Sequence, residues 1–168
     1  VPGVAIAVIG RGDVSWSQGF GWADKARRVR VTEHTLFQAA SFSKAVSAWA
    51  FMTLVEQGKV ALDAPVSWYL SRWQLPRSRF DNDAVTLRRI LSHTAGLSVP
   101  GYLGFAPGAP VQTLEASLAA AADADLQALA VVYPPGKEWH YSGGGYTLLQ
   151  LVAEEVTHER FEELAERA

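Results

Sequence analysis

The sequence predicts an α+β fold: an N-terminal β-hairpin of an antiparallel sheet, followed by a largely helical region. Three observations predict it. Val4 to Ile9 is a continuous apolar run rich in β-branched residues, and a second strand-like run, Val14 to Trp22, follows across a glycine turn. Ala45 to Gln57 is apolar on nearly every side, which is a helical length rather than a strand length. Beyond it, helix-period segments alternate with glycine- and proline-rich breaks. With 168 residues, 49% of them hydrophobic and 19% charged, the chain is expected to form one packed domain over 1–168.

The elements follow in order. Gly10-Arg11-Gly12-Asp13 joins the two strands as a tight turn. Its Arg11-Gly12-Asp13 triplet matches an integrin-binding tripeptide, but Gly and Asp are the residues such a turn uses in any case. The helix over Ala45 to Gln57 is expected to be buried and central, stopped by Gly58 just past its end. Leu62-Asp63-Ala64-Pro65 starts a short helix through Leu70, with proline tolerated in the first turn. Thr86 to Ser92 is a further helix with Leu87, Ile90 and Leu91 on one face. Gly96 to Pro110 is a loop carrying Tyr102, Leu103 and Phe105. Thr113 to Leu129 is alanine-rich and helical, in two pieces. Pro134-Pro135-Gly136 is a firm break, and Tyr146 to Val156 and Phe161 to Ala165 are helical again.

Several functional classes are excluded at this point. Fifteen Lys and Arg against 17 Asp and Glu give a formal charge of −2, without the basic footprint that nucleic acid or an anionic membrane requires. The longest apolar stretch, Ala45 to Val55, falls far short of the roughly 20 residues that span a bilayer. Cysteine is absent, which removes disulfides, cysteine-ligated zinc and a thiol nucleophile. His34 and His158 have no partners at metal-ligand spacing, so no metal and no cofactor are predicted.

Two segments could carry chemistry. In Ser41-Phe42-Ser43-Lys44, residues i and i+3 at a helix start share a face, so the Lys44 amine can reach the Ser41 hydroxyl. The helix N-terminus adds partial positive charge where an alkoxide would form. A lysine beside apolar bulk loses its proton more readily and can act as a base. The spacing alone is not specific: 12 serines and 4 lysines would produce about 0.3 such pairs by chance. The tetrad also fits an N-cap serine followed by a solvated lysine. The second segment is Trp139-His140-Tyr141-Ser142-Gly143-Gly144-Gly145-Tyr146. A tyrosine in a glycine-rich bend beside a cationic lysine would be a usable proton carrier. The alternatives are an anion-cradling glycine loop and a buried structural tyrosine.

Ser41-Phe42-Ser43-Lys44, then Leu91-Ser92-His93-Thr94-Ala95-Gly96-Leu97, then Pro135-Gly136 leading to Tyr141-Ser142-Gly143 occur in that order. With Pro2-Gly3-Val4-Ala5, Thr35-Leu36-Phe37 and Pro134-Pro135-Gly136, the chain resembles the serine beta-lactamase-like family of class C beta-lactamases, D-alanyl-D-alanine carboxypeptidases and related esterases. The resemblance covers essentially all 168 residues. It implies that Ser41 is the nucleophile, Lys44 its partner and Tyr141 the acid/base. It also implies a beta-lactamase/transpeptidase-like fold.

The chain departs from the family in two places. The usual Tyr-x-Asn is Tyr141-Ser142-Gly143 here, and Gly143 has no amide to orient a substrate. That favours esters or peptides over beta-lactams, and an asparagine at 143 would be expected to help amide turnover where the backbone has room for it. Nothing after Tyr146 resembles the strand that carries the family's Lys-Thr-Gly or His-x-Gly motif. The chain is therefore expected to be the N-terminal part of an incomplete fold, with little or no activity by itself. His93 is expected to support its loop, and His140 to point away from the site. Trp139, Tyr102 and Phe105 are candidates to line an apolar acyl pocket, or simply pack in core and loop. The expected function is acyl transfer through a Ser41 acyl-enzyme on small esters, D-amino acid peptides or amides, and less so beta-lactams. The alternative is a non-catalytic binding or assembly module on the same scaffold. The resemblance favours a periplasmic or secreted location, while the absence of cysteine leaves the compartment open.

Overall fold

A computed structural model describes residues 2–102, 104–106, 108–120 and 127–168. The chain divides into two compact units, Val1–Ala40 and Ser41–Ala168, each with its own architecture.

The first unit is a three-stranded antiparallel sheet in the order β1-β2-β3, built from β1 (Gly3–Gly10), β2 (Asp13–Asp24) and β3 (Val29–Arg30). Arg11 and Gly12 both take left-handed φ, 54° and 91°, which matches a two-residue turn to the right-handed twist of the strands. Register runs from Gly3↔Gly21 to Gly10↔Asp13, with an irregularity between Val8 and Ile9. The strands lie where the apolar runs place them, but their burial differs from expectation. Val4, Ile6, Val8 and Ile9 are all exposed. An unbroken apolar run predicts cover on both faces, whereas these 40 residues supply one layer and no second layer of their own.

The second unit is helical. A 3-10 turn, Ala40–Phe42, leads into α1 (Ser43–Glu56). It is followed by α2 (Leu87–Leu91), α3 (Leu114–Ala119), α4 (Gly143–Thr157) and α5 (Phe161–Arg167). Gly58 at φ 68° ends the first helix as its position predicts. The short helix expected through Leu70 is a 3-10 turn, Val66–Tyr69. In the alanine-rich segment Leu114–Ala119 is helical, Ala120 turns left-handed, and Leu129 lies outside any helix. Positions 121–126 of that segment, and Leu103 of the preceding loop, lie outside the described residues.

The central buried helix is α4 rather than α1. Leu148, Leu149, Leu151, Val152 and Ala153 of α4 are buried, and α4 touches each of the other four helices. In α1 only Ala50, Phe51 and Leu54 are buried, while Val46, Trp49 and Met52 are exposed. A helix apolar on every side carries no preferred face in its sequence, so which stripe is covered depends on its neighbours. Thr86 and Thr113 accept hydrogen bonds from Arg89 N and Ala116 N, capping α2 and α3. At the far end of α4, Arg72 pairs with Glu154 at 2.8 Å and Glu115 at 3.1 Å, tying α3 and α4 to the preceding loop.

Leu148 is fully buried at the centre of this core. Leu148→Ala is expected to destabilise the protein by about 2–5 kcal/mol, read from denaturant unfolding at constant slope. No helix among the described residues is long and apolar enough to cross a membrane.

Candidate active site

The site is built from three segments of the helical unit. The 3-10 turn places Ser41 just ahead of α1, and Lys44 lies in the first turn of that helix. One helical turn brings Lys44 Nζ to 3.3 Å from Ser41 Oγ, donating to it. The residue at the N-cap of α1 is Phe42, which makes no side-chain capping bond. The Ser41 hydroxyl is therefore not committed to capping. It bonds instead to the Tyr141 hydroxyl, 2.6 Å away across 100 residues of sequence.

Tyr141 sits immediately before α4, and Ser142 is the N-cap of that helix. Ser142 Oγ accepts from Gly145 N at 2.9 Å and donates to Ser98 O at 2.6 Å, and its side chain is buried. These bonds pin the start of α4 to the 98–100 loop. Gly143 N and Gly144 N donate to Pro100 O and Val99 O, each at 3.0 Å. The phenol is thus carried on a bend fixed at both sides.

The electrostatics separate two tyrosines. The Lys44 ammonium first, and the Ser41 hydroxyl second, hold the Tyr141 phenol below its ordinary pKa. Tyr146, one turn into α4, has its phenol pushed up by burial first and by the neighbouring Tyr141 second. Its hydroxyl stays protonated and donates to Leu91 O at 3.1 Å. Lys44 Nζ lies 4.9 Å from the Tyr141 ring centre and 5.5 Å from that of Tyr146, so the two rings flank the cation. His93 lies in the same cluster, its ring 4.5 Å from Tyr141 and 5.4 Å from Tyr146. Burial first and the Lys44 charge second lower its pKa.

In the sequence Tyr146 closes the second candidate segment and opens a helix, with nothing to connect it to Lys44. Its spacing of five from Tyr141 was the available signal, but nothing local in it names a lysine 102 positions upstream. His140 stacks on Tyr133 at 3.7 Å and bonds to Glu138 at 3.0 Å, with neither Ser41 nor Lys44 among its partners.

Gly143 has a structural reason to be glycine. A Cβ there would stand 2.8 Å from Pro100 O and 3.0 Å from Gly101 Cα, both backbone atoms. The expectation that asparagine at 143 could restore an orienting amide meets this backbone, which fills the space at the Cβ position. Gly143→Asn is expected to destabilise the protein by about 1–3 kcal/mol, measured as a fall in unfolding midpoint, because the 100–101 loop must move.

A cleft of about 510 Å³ adjoins the site, lined by Leu97, Val99, Pro100, Tyr133, Trp139 and Tyr141 among others. Trp139 is therefore beside the phenol. Tyr102 and Phe105 line a different cavity of about 600 Å³, together with Arg72, Leu114, Glu115 and Glu154; Ser41, Lys44 and Tyr141 take no part in its walls. The structure thus brings together Ser41, Lys44 and Tyr141, puts Gly143 two residues from the phenol, and places Tyr102 and Phe105 elsewhere. Among the described residues, no group of three His, Asp or Glu side chains is arranged to hold a metal ion.

The profile of the Beta-lactamase family matches residues 1–168. Esterase EstB of Burkholderia gladioli is 32% identical over 150 residues, which cover 82% of this chain and 37% of the esterase. The octameric penicillin-binding protein homologue from Pyrococcus abyssi superposes with a TM-score of 0.79 at 32% identity, over 99% of this chain and 38% of that one. A D-stereospecific amidohydrolase from Streptomyces sp. superposes with a TM-score of 0.69 at 26% identity, over 99% of this chain and 48% of its own. The chain spans less than half the length of each of these relatives. The α+β arrangement is that of the beta-lactamase and penicillin-binding fold over its matched part, and two of these relatives are hydrolases by name. With a family match over its whole length, the chain belongs to the Beta-lactamase family.

Proposed function

We propose that the protein is a serine hydrolase that works by acyl transfer, with residues 1–168 forming part of a single beta-lactamase-like domain. The observation that carries this reading is the convergence of Ser41 Oγ with Tyr141 Oη at 2.6 Å and Lys44 Nζ at 3.3 Å. A nucleophile within hydrogen-bond reach of its base, and that base biased by a cation, is the geometry such chemistry needs. Tyr141, in its phenolate form, takes the Ser41 proton as Oγ bonds to the substrate carbonyl carbon. The proton then passes to the leaving group as the bond to that group breaks. Water, deprotonated in turn by Tyr141, attacks the acyl carbon, and Tyr141 passes that proton to Ser41 Oγ as the ester bond breaks, which restores the serine hydroxyl and the phenolate. Lys44 stays cationic in this scheme and stabilises the phenolate and the developing charge.

The substrates that fit are small esters and D-amino acid peptides or amides, with beta-lactams disfavoured. Gly143 carries this preference, because neither a side-chain amide nor room for one exists at that position. Trp139 and Tyr133 offer the acyl group an apolar wall in the adjoining cleft. Treating the full-length protein with a fluorophosphonate and with benzylpenicillin, then mapping adducts by peptide mass spectrometry, tests the reading. A covalent adduct on Ser41 is expected, with nitrophenyl acetate turned over faster than benzylpenicillin. No adduct on Ser41 with either reagent would leave the scaffold as a non-catalytic binding or assembly module.

A further inference from the structure

We propose that His93 is a positioning residue for Tyr141: it binds the backbone on both sides of that tyrosine and packs its ring against the phenol ring at a tilt, holding the phenol at Ser41. This rests on the reading of Tyr141 as the proton carrier. Three contacts converge. His140 N donates to His93 O at 2.8 Å, and Ser142 N donates to His93 Nδ1 at 3.2 Å. Between those two amides stands Tyr141, whose ring centre is 4.5 Å from that of His93 with 33° between the planes. One residue thus grips the segment 140–142 by its carbonyl, its ring nitrogen and its ring face.

The grip is anchored in the core. His93 follows α2, and its own N–H donates to Ile90 O at 3.1 Å, closing the helix. Leu87 and Ile90 of that helix are buried against α4. His93 takes a left-handed φ of 58°, which turns its ring back towards the 140–142 segment. A histidine tolerates this conformation better than a bulky apolar residue does. Glycine at the following turn, Gly96 at φ 69°, lets the chain run on to the cleft wall.

The acceptor role demands a particular chemical state. Nδ1 must be unprotonated to accept from Ser142 N, so the neutral ring carries its proton on Nε2. The surroundings favour that state: burial and the Lys44 ammonium of α1 both disfavour imidazolium. Among the described residues, the remaining titratable groups packed against the ring are the phenols of Tyr141 and Tyr146. A core histidine without this function would need neither the tautomer nor the acceptor.

The test separates acceptor from ring. Asparagine can accept at a similar reach through Oδ1 and tolerates left-handed φ, whereas phenylalanine keeps the ring face and loses the acceptor. In the full-length protein, His93→Phe and His93→Ala are expected to lower kcat for nitrophenyl acetate by about 10–100-fold with KM little changed, as a small misplacement of a catalytic group does. His93→Asn is expected to recover most of that loss. Two measurements do not depend on turnover. Nitrogen NMR of the wild-type His93 ring should show Nδ1 unprotonated and Nε2 protonated. A ¹³Cζ titration should show the Tyr141 phenol shifting back up towards the ordinary tyrosine value in His93→Phe and staying low in His93→Asn. Equal kcat in wild type and His93→Phe, the same loss in Asn and Phe variants, a protonated Nδ1, or an unchanged Tyr141 titration would each overturn the proposal. A wild-type protein that never labels at Ser41 would instead overturn the hydrolase reading, and the two NMR measurements would still decide whether His93 positions Tyr141.

Discussion

Ser41→Ala is expected to abolish covalent labelling and to lower ester turnover by a factor on the order of 10⁴ or more, since an acyl-enzyme route has no substitute for its nucleophile. Folding should survive the change. Ser41 is exposed, caps no helix, and among the described residues its hydroxyl bonds to Tyr141 and Lys44 alone. The measurement is a pair: initial rates with nitrophenyl acetate, and the thermal midpoint of the same sample. A variant that retains most of its esterase activity would show that the hydrolysis occurs elsewhere on the protein. A variant that loses activity together with its unfolding midpoint would show only that the site had unfolded.

The second large effect belongs to Tyr141 and Lys44. Tyr141→Phe removes the proton carrier of the proposed scheme while keeping the ring that packs on His93, and a loss of about 10²–10⁴-fold in kcat is expected. Lys44→Gln changes the pH dependence in a direction the geometry sets. Lys44 and Ser41 hold the Tyr141 phenol below its ordinary pKa by favouring the phenolate. Under the proposed scheme the wild-type rate should therefore rise as pH rises through that lowered pKa, because there the phenolate is the base. Without the cation the pKa moves up, so the rising limb of the Lys44→Gln profile is displaced to higher pH. A profile that keeps its limb in place would remove Tyr141 from the role of base.

Much of the site is legible in the sequence because part of it is local. Ser41 and Lys44 lie three residues apart at a helix start, and helical geometry by itself brings their side chains to one face. Glycine at 58 ends α1 where it stands, since backbone restriction acts residue by residue. The turn at Arg11-Gly12 follows from the same local sterics. Burial is another matter. The all-apolar α1 reads as the buried centre, but the buried centre is α4, whose first turn of three glycines looks like a loop in sequence. Those glycines let α4 start close against the backbone and side chains of the 97–101 loop and Ile90, an advantage that exists only once the loop is in place.

Local chemistry is thus enough for the hairpin, for the Gly58 end of α1 and the Thr86 and Thr113 starts of α2 and α3, and for the Ser41–Lys44 pair, whereas α4 begins three residues before the expected Tyr146. Packing sets the remainder: that Tyr141 meets Ser41, that Tyr146 flanks Lys44, that Tyr102 and Phe105 line another cavity, and that a side chain at 143 would press on the backbone of residues 100–101. The physical reason is the range of the interactions. Dihedral preferences and i to i+3 spacing act within a turn of chain, so a single sequence states them directly. The approach of residues 93, 100 and 141 depends on which apolar faces pack together, and alternative packings of the same apolar residues are not distinguished by their pattern. The 2.6 Å contact across 100 residues exists because α1, α2 and α4 share one core, and the bonds from His93 after α2 tie that packing to the segment carrying the phenol.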